Sequence, residues 1–264
     1  GRQDLERRIL RHVSPAFVED PLRVLRVARF AARFESLGFE VADETRGLMR
    51  HIAASGELDY LVPDRVWQET ERALGESAPA RYFDELAACD ALPAVFPEIA
   101  PIYPGPAGAA RDALVAAADE PAIVRFAALC HPLDIDDGLT RLCQRLPVPR
   151  AWADVARLTA TWRGTVQVER ELTGDELWSV ITGCDALRRL DRFEEILAAW
   201  DAIARASDRQ DRLPSPALRD AFAAAAAIDG KPLAEAGWKG KELGRELERQ
   251  RREAVHAVAD QRRM

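Results

Sequence analysis

Glu19-Asp20-Pro21-Leu22-Arg23-Val24-Leu25-Arg26-Val27-Ala28-Arg29-Phe30-Ala31-Ala32-Arg33-Phe34 carries its own helix punctuation. An Asp at the cap, a proline at the first helical position and Gly38 past the end set a helix over residues 20–37. At 100° per residue, Arg26, Arg29 and Arg33 fall within about 60° of one another, with Arg23 about 60° further round. Nearly every other position is apolar, so this is a largely buried helix with one arginine stripe. Such a stripe is costly to bury unless it meets carboxylates, carbonyls or phosphates. A guanidinium offers five donors in a rigid fork, suited to phosphate oxygens and base edges. Asp20 has two readings, an ordinary helix cap or a carboxylate that accepts from a ligand, and one oxygen for each is compatible with both.

Outward from this helix, Ala, Leu, Arg and Glu dominate and strand-like alternation is almost absent, which predicts an all-α protein built as an elongated array of helices. Further helices are expected over residues 43–54, 64–74, 79–89, 111–131, 139–145, 150–162, 175–182, 186–207, 217–228 and 240–256. The proline-rich stretch 93–108 reads as an irregular connector, and 131–138 as a loop. With 48% hydrophobic and 31% charged residues over 264 positions, disorder is excluded. No apolar run reaches the roughly 20 residues of a membrane span, and no basic-then-apolar leader opens the chain. The four cysteines (89, 130, 143, 184) form no C-x-x-C pair, which is the pattern of reduced thiols in a cytoplasm. The net charge of -7 is unevenly spread: residues 1–34 carry +4, residues 238–264 carry +3, and the middle about -14. Basic ends can grip a phosphate backbone locally, although arginine-rich surface helices need no such partner.

The Glu-Asp-x-x-Arg element at 19–23, with its continuation to Phe34, resembles the base-reading motif of class II CCA-adding tRNA nucleotidyltransferases. The resemblance implies that Asp20 and Arg23 form a protein template for an incoming CTP or ATP, with Arg26 beside the nucleotide. A carboxylate accepts from an exocyclic amine and a guanidinium donates to a ring nitrogen or carbonyl; cytosine and adenine both carry that amine. Gly56-Glu57-Leu58-Asp59-Tyr60-Leu61-Val62-Pro63-Asp64-Arg65-Val66-Trp67-Gln68-Glu69-Thr70 resembles the family's following helix motif. Arg65 and Glu69, at i,i+4, are expected to meet on one helix face and, with Glu19, to brace the structure rather than react. Glu235-Ala236-Gly237-Trp238-Lys239-Gly240-Lys241-Glu242-Leu243-Gly244-Arg245 resembles the closing segment, which makes Lys239, Lys241 and Arg245, together with Arg29 and Arg33, candidate tRNA contacts. The implied division is a neck (1–37), a body (38–108), a degenerate His-Asp-type helical region (109–212) and a tail (213–264).

Gly1-Arg2-Gln3-Asp4-Leu5 looks like the end of the family's head element. The Gly-Gly turn and Asp-x-Asp metal pair expected of a head are not found, so no catalytic residue and no metal site is assigned here. Mg2+ is implied for that missing head only, and the head is expected in cis if the chain is a fragment; this chain alone is expected to be inactive in nucleotidyl transfer. Asp134-Ile135-Asp136 spells Asp-x-Asp among the wrong neighbours and reads as solvated loop acids. Arg125-Phe126-Ala127-Ala128-Leu129-Cys130-His131 approaches a His-Asp phosphohydrolase motif, but Pro132 stands where its Asp belongs. A bacterial poly(A) polymerase fragment, which shares the Glu-Asp-x-x-Arg helix, and a non-catalytic RNA-binding helical module remain as alternatives. The expected partners are tRNA and nucleoside triphosphates, with no membrane.

Overall fold

The structure is a computed structural model that describes residues 1–103, 109–167, 170–207 and 212–263. Its first group of helices is built around α2 (Leu22–Phe34), with Val24, Leu25, Ala28, Ala31 and Ala32 fully buried. Small residues at 28, 31 and 32 let neighbours approach closely, and α2 packs against α4 (Pro63–Leu74) and α5 (Pro79–Ala88). The expected start at residue 20 is displaced. Asp20 is extended, Pro21 already has helical angles, and the Asp20 carboxylate accepts from the Leu22 N–H at 3.2 Å. A 3₁₀ turn, Glu35–Leu37, completes the run, and Gly38 ends it at φ 73°, a left-handed conformation that glycine adopts at least steric cost.

The chain before α2 carries a five-residue helix, α1 (Arg2–Glu6), and a two-residue strand, β1 (Ile9–Leu10), in parallel register with β2 (Glu40–Val41). This pair is too short to show as alternation, and it is the one sheet among the described residues. It pins the chain before α2 to the start of α3 (Asp43–Ser55). Arg46 of α3 then clamps the buried Glu85 of α5 with two hydrogen bonds, at 3.0 and 2.8 Å. Beyond α5 lies a short helix, α6 (Leu92–Val95). Residues 104–108 of the expected connector, with the boundary drawn there, lie outside the described residues.

A second group comprises α7 (Ala109–Ala116), α8 (Ala122–Cys130), α9 (Thr140–Arg145), α10 (Arg150–Val166) and α12 (Leu190–Ala206). The single helix expected over 111–131 is two helices, because Pro121 cannot donate its turn's hydrogen bond and stands as the cap of the second. The groups meet where Trp67 of α4 packs edge-on against Phe126 (5.6 Å between centroids) and Trp152 (5.3 Å). Arg125 adds a polar tie. Its guanidinium donates to the Leu74 and Glu76 carbonyls at 2.6 and 2.7 Å and to that of Ala118. It thus satisfies carbonyls at the end of α4, while burial pulls its pKa down.

The third group is α11 (Gly174–Gly183), α13 (Ser215–Ala226), α14 (Lys231–Glu235) and the long α15 (Gly240–Arg263), joined to the second through α12 and α13. At that joint the buried Asp201 accepts from the Ser215 hydroxyl at 2.5 Å. α15, half of whose residues are charged, packs against α13 and α11. Gly174 makes their approach possible: a Cβ there would stand 2.8 Å from the backbone Cα of His256. Since backbone cannot swing aside, Gly174→Ala should destabilise the chain by about 1–3 kcal/mol in urea denaturation; an unchanged midpoint would show that α15 is free to shift.

Candidate functional site

The four arginines of α2 have different surroundings. Arg29 is buried, and its Nε donates to Glu69 of α4 at 2.8 Å while its Nη1 reaches Glu76 at 3.1 Å. Burial opposes its charge, but the Glu69 and Glu76 hydrogen bonds and charges outweigh that and hold its pKa above the ordinary value. Glu69, only 3% exposed, also lies 3.6 Å from the Arg26 guanidinium and 3.5 Å from that of Arg72. One buried carboxylate therefore anchors the middle of the stripe. Arg33 is exposed, lies over the Phe34 ring at 5.6 Å, and forms no ion pair among the described residues.

Arg65 does not meet Glu69 as the i,i+4 spacing suggests; it reaches Asp20 instead, Nη2 to Oδ2 at 3.2 Å. Tertiary partners win because α4 lies alongside α2, so Arg65 faces the start of that helix and Glu69 its middle. Asp20 thus has one oxygen on the Leu22 N–H and the other on Arg65. Arg23 donates through Nη1 to the Ala16 carbonyl, which fixes the Pro15–Glu19 turn against α2. Glu19 is exposed at the end of that turn.

Arg23 and Arg26 line an open groove of ≈ 580 Å³ whose walls include Arg11, His12, Ala16, Phe17, Val27 and Phe30. Its lining combines apolar side chains with guanidinium groups, a combination chemically suited to an anionic ligand with a flat apolar part. Arg11 is held by Asp4 at 2.9 Å and by Glu44, and Arg26 shares Glu69 at 3.6 Å, so Arg23 is the lining arginine with no carboxylate partner among the described residues. Asp20 is not among the groove's lining residues; it sits just before the start of α2, paired with Arg65 of α4. The lining also includes His12, which no spacing or motif in the sequence singles out.

The tail candidates lie elsewhere. Lys239, Lys241 and Arg245 are exposed at the start of α15, form no ion pair among the described residues, and neighbour the exposed Trp238. In the middle of the chain, Asp134 caps a turn of π-helix, Ile135–Leu139, by accepting from the Asp136 and Asp137 N–H groups. No cluster of three His, Cys, Asp or Glu able to hold a metal occurs among the described residues, and none of their helices is long and apolar enough to cross a membrane.

His131 is buried, and its Nδ1 lies 2.7 Å from the Ala128 carbonyl. Burial, with Arg163 nearby, pulls its pKa down to about 4. As pH falls below about 6.5 the unfolded chain takes up a proton that the folded chain refuses until about pH 4, so stability declines across that window. At about 1.4 kcal/mol per pH unit the loss is capped at about 3 kcal/mol. The drop in urea midpoint between pH 7 and 4.5 should be smaller in His131→Gln than in the parent chain; equal drops would refute the assignment.

A family model described as "Probable RNA and SrmB- binding site of polymerase A" matches residues 38–103. The Multifunctional CCA protein of Thioalkalivibrio sulfidiphilus is 43% identical over 97% of this chain and 71% of its own length. The chain belongs to the CCA-adding enzyme family. Among solved structures, a CCA-adding enzyme in complex with ATP superimposes with a TM-score of 0.70 at 19% identity, over 97% of this chain. The Thermotoga maritima CCA-adding enzyme complexed with tRNA superimposes with a TM-score of 0.65 at 18% identity, over 99% of this chain. These likenesses show that the helical array is the CCA-adding enzyme fold. The chain spans 60% and 65% of those two structures' chains.

Proposed function

We propose that this chain selects the nucleotide and grips the tRNA for an enzyme that adds CCA to tRNA 3′ ends from CTP and ATP. The observation that carries the reading is the arginine stripe of α2: Glu69 holds Arg26 and Arg29, Arg65 holds Asp20 just before the helix, and Arg23 and Arg26 open on a groove. In this reading Asp20 accepts the exocyclic amine of cytosine or adenine and Arg23 donates to the ring acceptor beside it, with Arg26 on the nucleotide. Uracil and guanine present a carbonyl where the amine stands, and a carboxylate facing a carbonyl is repelled and left without a donor. Because Asp20 lies beside the groove rather than in it, the Arg65 contact must slacken or be shared when the base arrives.

Lys239, Lys241 and Arg245, with Arg33, are proposed phosphate contacts for the tRNA, which we place in the cytoplasm. The described residues do not fit a magnesium site, so no chemical step is assigned to them. A poly(A) polymerase relationship is the second reading, favoured by the matched segment 38–103 alone. The discriminating experiment is equilibrium binding of the four nucleoside triphosphates to the purified chain. CTP and ATP should bind at least about tenfold more tightly than UTP and GTP, the value of roughly one lost hydrogen bond. Equal binding of all four would refute the template.

A further inference from the structure

We infer that His12 is a nucleotide-contacting residue of the Arg23–Arg26 groove, presenting its Nε2–H to an oxygen of the bound nucleoside triphosphate. This rests on the proposed nucleotide-selecting role of that groove. The segment between β1 and the Pro15–Glu19 turn is latched to α3 at His12, beside the Arg11–Glu44 ion pair: both the His12 backbone N–H (3.1 Å) and its ring Nδ1 (2.9 Å) meet the Thr45 hydroxyl. Thr45 is fully buried, so its hydroxyl hydrogen needs an acceptor inside the protein. Its oxygen accepts from the His12 backbone, and the His12 Nδ1 is the acceptor within reach among the described residues. With Nδ1 accepting, the ring hydrogen sits on Nε2.

That nitrogen has no protein partner among the described residues, and the ring lines the groove with Arg23 and Arg26 while leaning on Phe17 at 5.9 Å. Holding the latch requires only an acceptor at the Nδ1 position, which leaves the Nε2 of this groove-lining residue unused by the latch. The site therefore joins two guanidinium forks and one imidazole N–H with the apolar side chains of Phe17, Val27 and Phe30 in one lining. Triphosphate, ribose and base acceptors outnumber what the two guanidinium groups alone can satisfy, and a third, differently directed donor adds both affinity and orientation.

Two substitutions separate a ligand role from a latch role. Asparagine reproduces the Nδ1 position but not Nε2; glutamine places an amide N–H near Nε2. His12→Asn should keep the parent urea midpoint while weakening CTP and ATP binding about tenfold, and His12→Gln should recover most of that loss. Parental binding by His12→Asn, or equal weakening by both variants, would overturn the assignment. Failure of the parent chain to bind any nucleotide would instead remove the reading of the groove itself, and His12 with it.

Discussion

Replacing Glu69 with alanine should destabilise the chain by about 3 kcal/mol, the largest effect expected of any change near the groove. The carboxylate is 3% exposed and faces three arginines, and its loss strands Arg29, 9% exposed, with Glu76 at 3.1 Å as its remaining counter-charge. A buried guanidinium that loses one of its two carboxylates costs more than a surface ion pair contributes. The same substitution frees Arg26 to wander, so nucleotide affinity should fall as well. Arg29→Ala combined with Glu69→Ala should cost much less than the two single changes added together, because each single change leaves a buried charge that the pair removes. Additive losses in urea denaturation would show that the two side chains do not depend on each other.

Arg23→Ala should weaken CTP and ATP binding between about tenfold and a hundredfold, the range of a charge-assisted hydrogen bond lost from a ligand. Arg33→Ala should change it less than about threefold, since Arg33 points to solvent over Phe34 and away from the groove's rim. Arg23 also donates to the Ala16 carbonyl. Urea midpoints of both variants therefore accompany the binding data, so that a loosened Pro15–Glu19 turn is not mistaken for a lost ligand contact. Equal weakening by the two substitutions would remove Arg23 from the template.

The core of the fold is legible because α2 states its boundaries and its burial in consecutive residues, and the helices after it repeat that punctuation. Spacing could not tell Arg29 from Arg33. Both lie on one stripe, and what buries the first is a carboxylate 40 residues later on α4. For the same reason the i,i+4 match of Arg65 and Glu69 pointed to a local pair, whereas packing α4 alongside α2 gives each a tertiary partner. Pro121, preceded by Asp119 and Glu120, marks the break that the single helix expected over 111–131 runs through. The strand pair β1–β2 is two residues long, below what alternation can reveal. His12 is invisible in sequence because its significance comes from a threonine on another helix and a groove that neither residue forms alone.

The central claim, that this chain grips tRNA, is tested most directly by its binding to tRNA lacking the terminal CCA across a salt series. The account predicts affinity that falls steeply with salt, by a slope of roughly -0.7 to -0.9 per phosphate neutralised, and that exceeds affinity for unrelated RNA of equal length. Substituting Lys239, Lys241 and Arg245 together should flatten that slope. No binding at low salt, or equal binding to both RNAs, would contradict it.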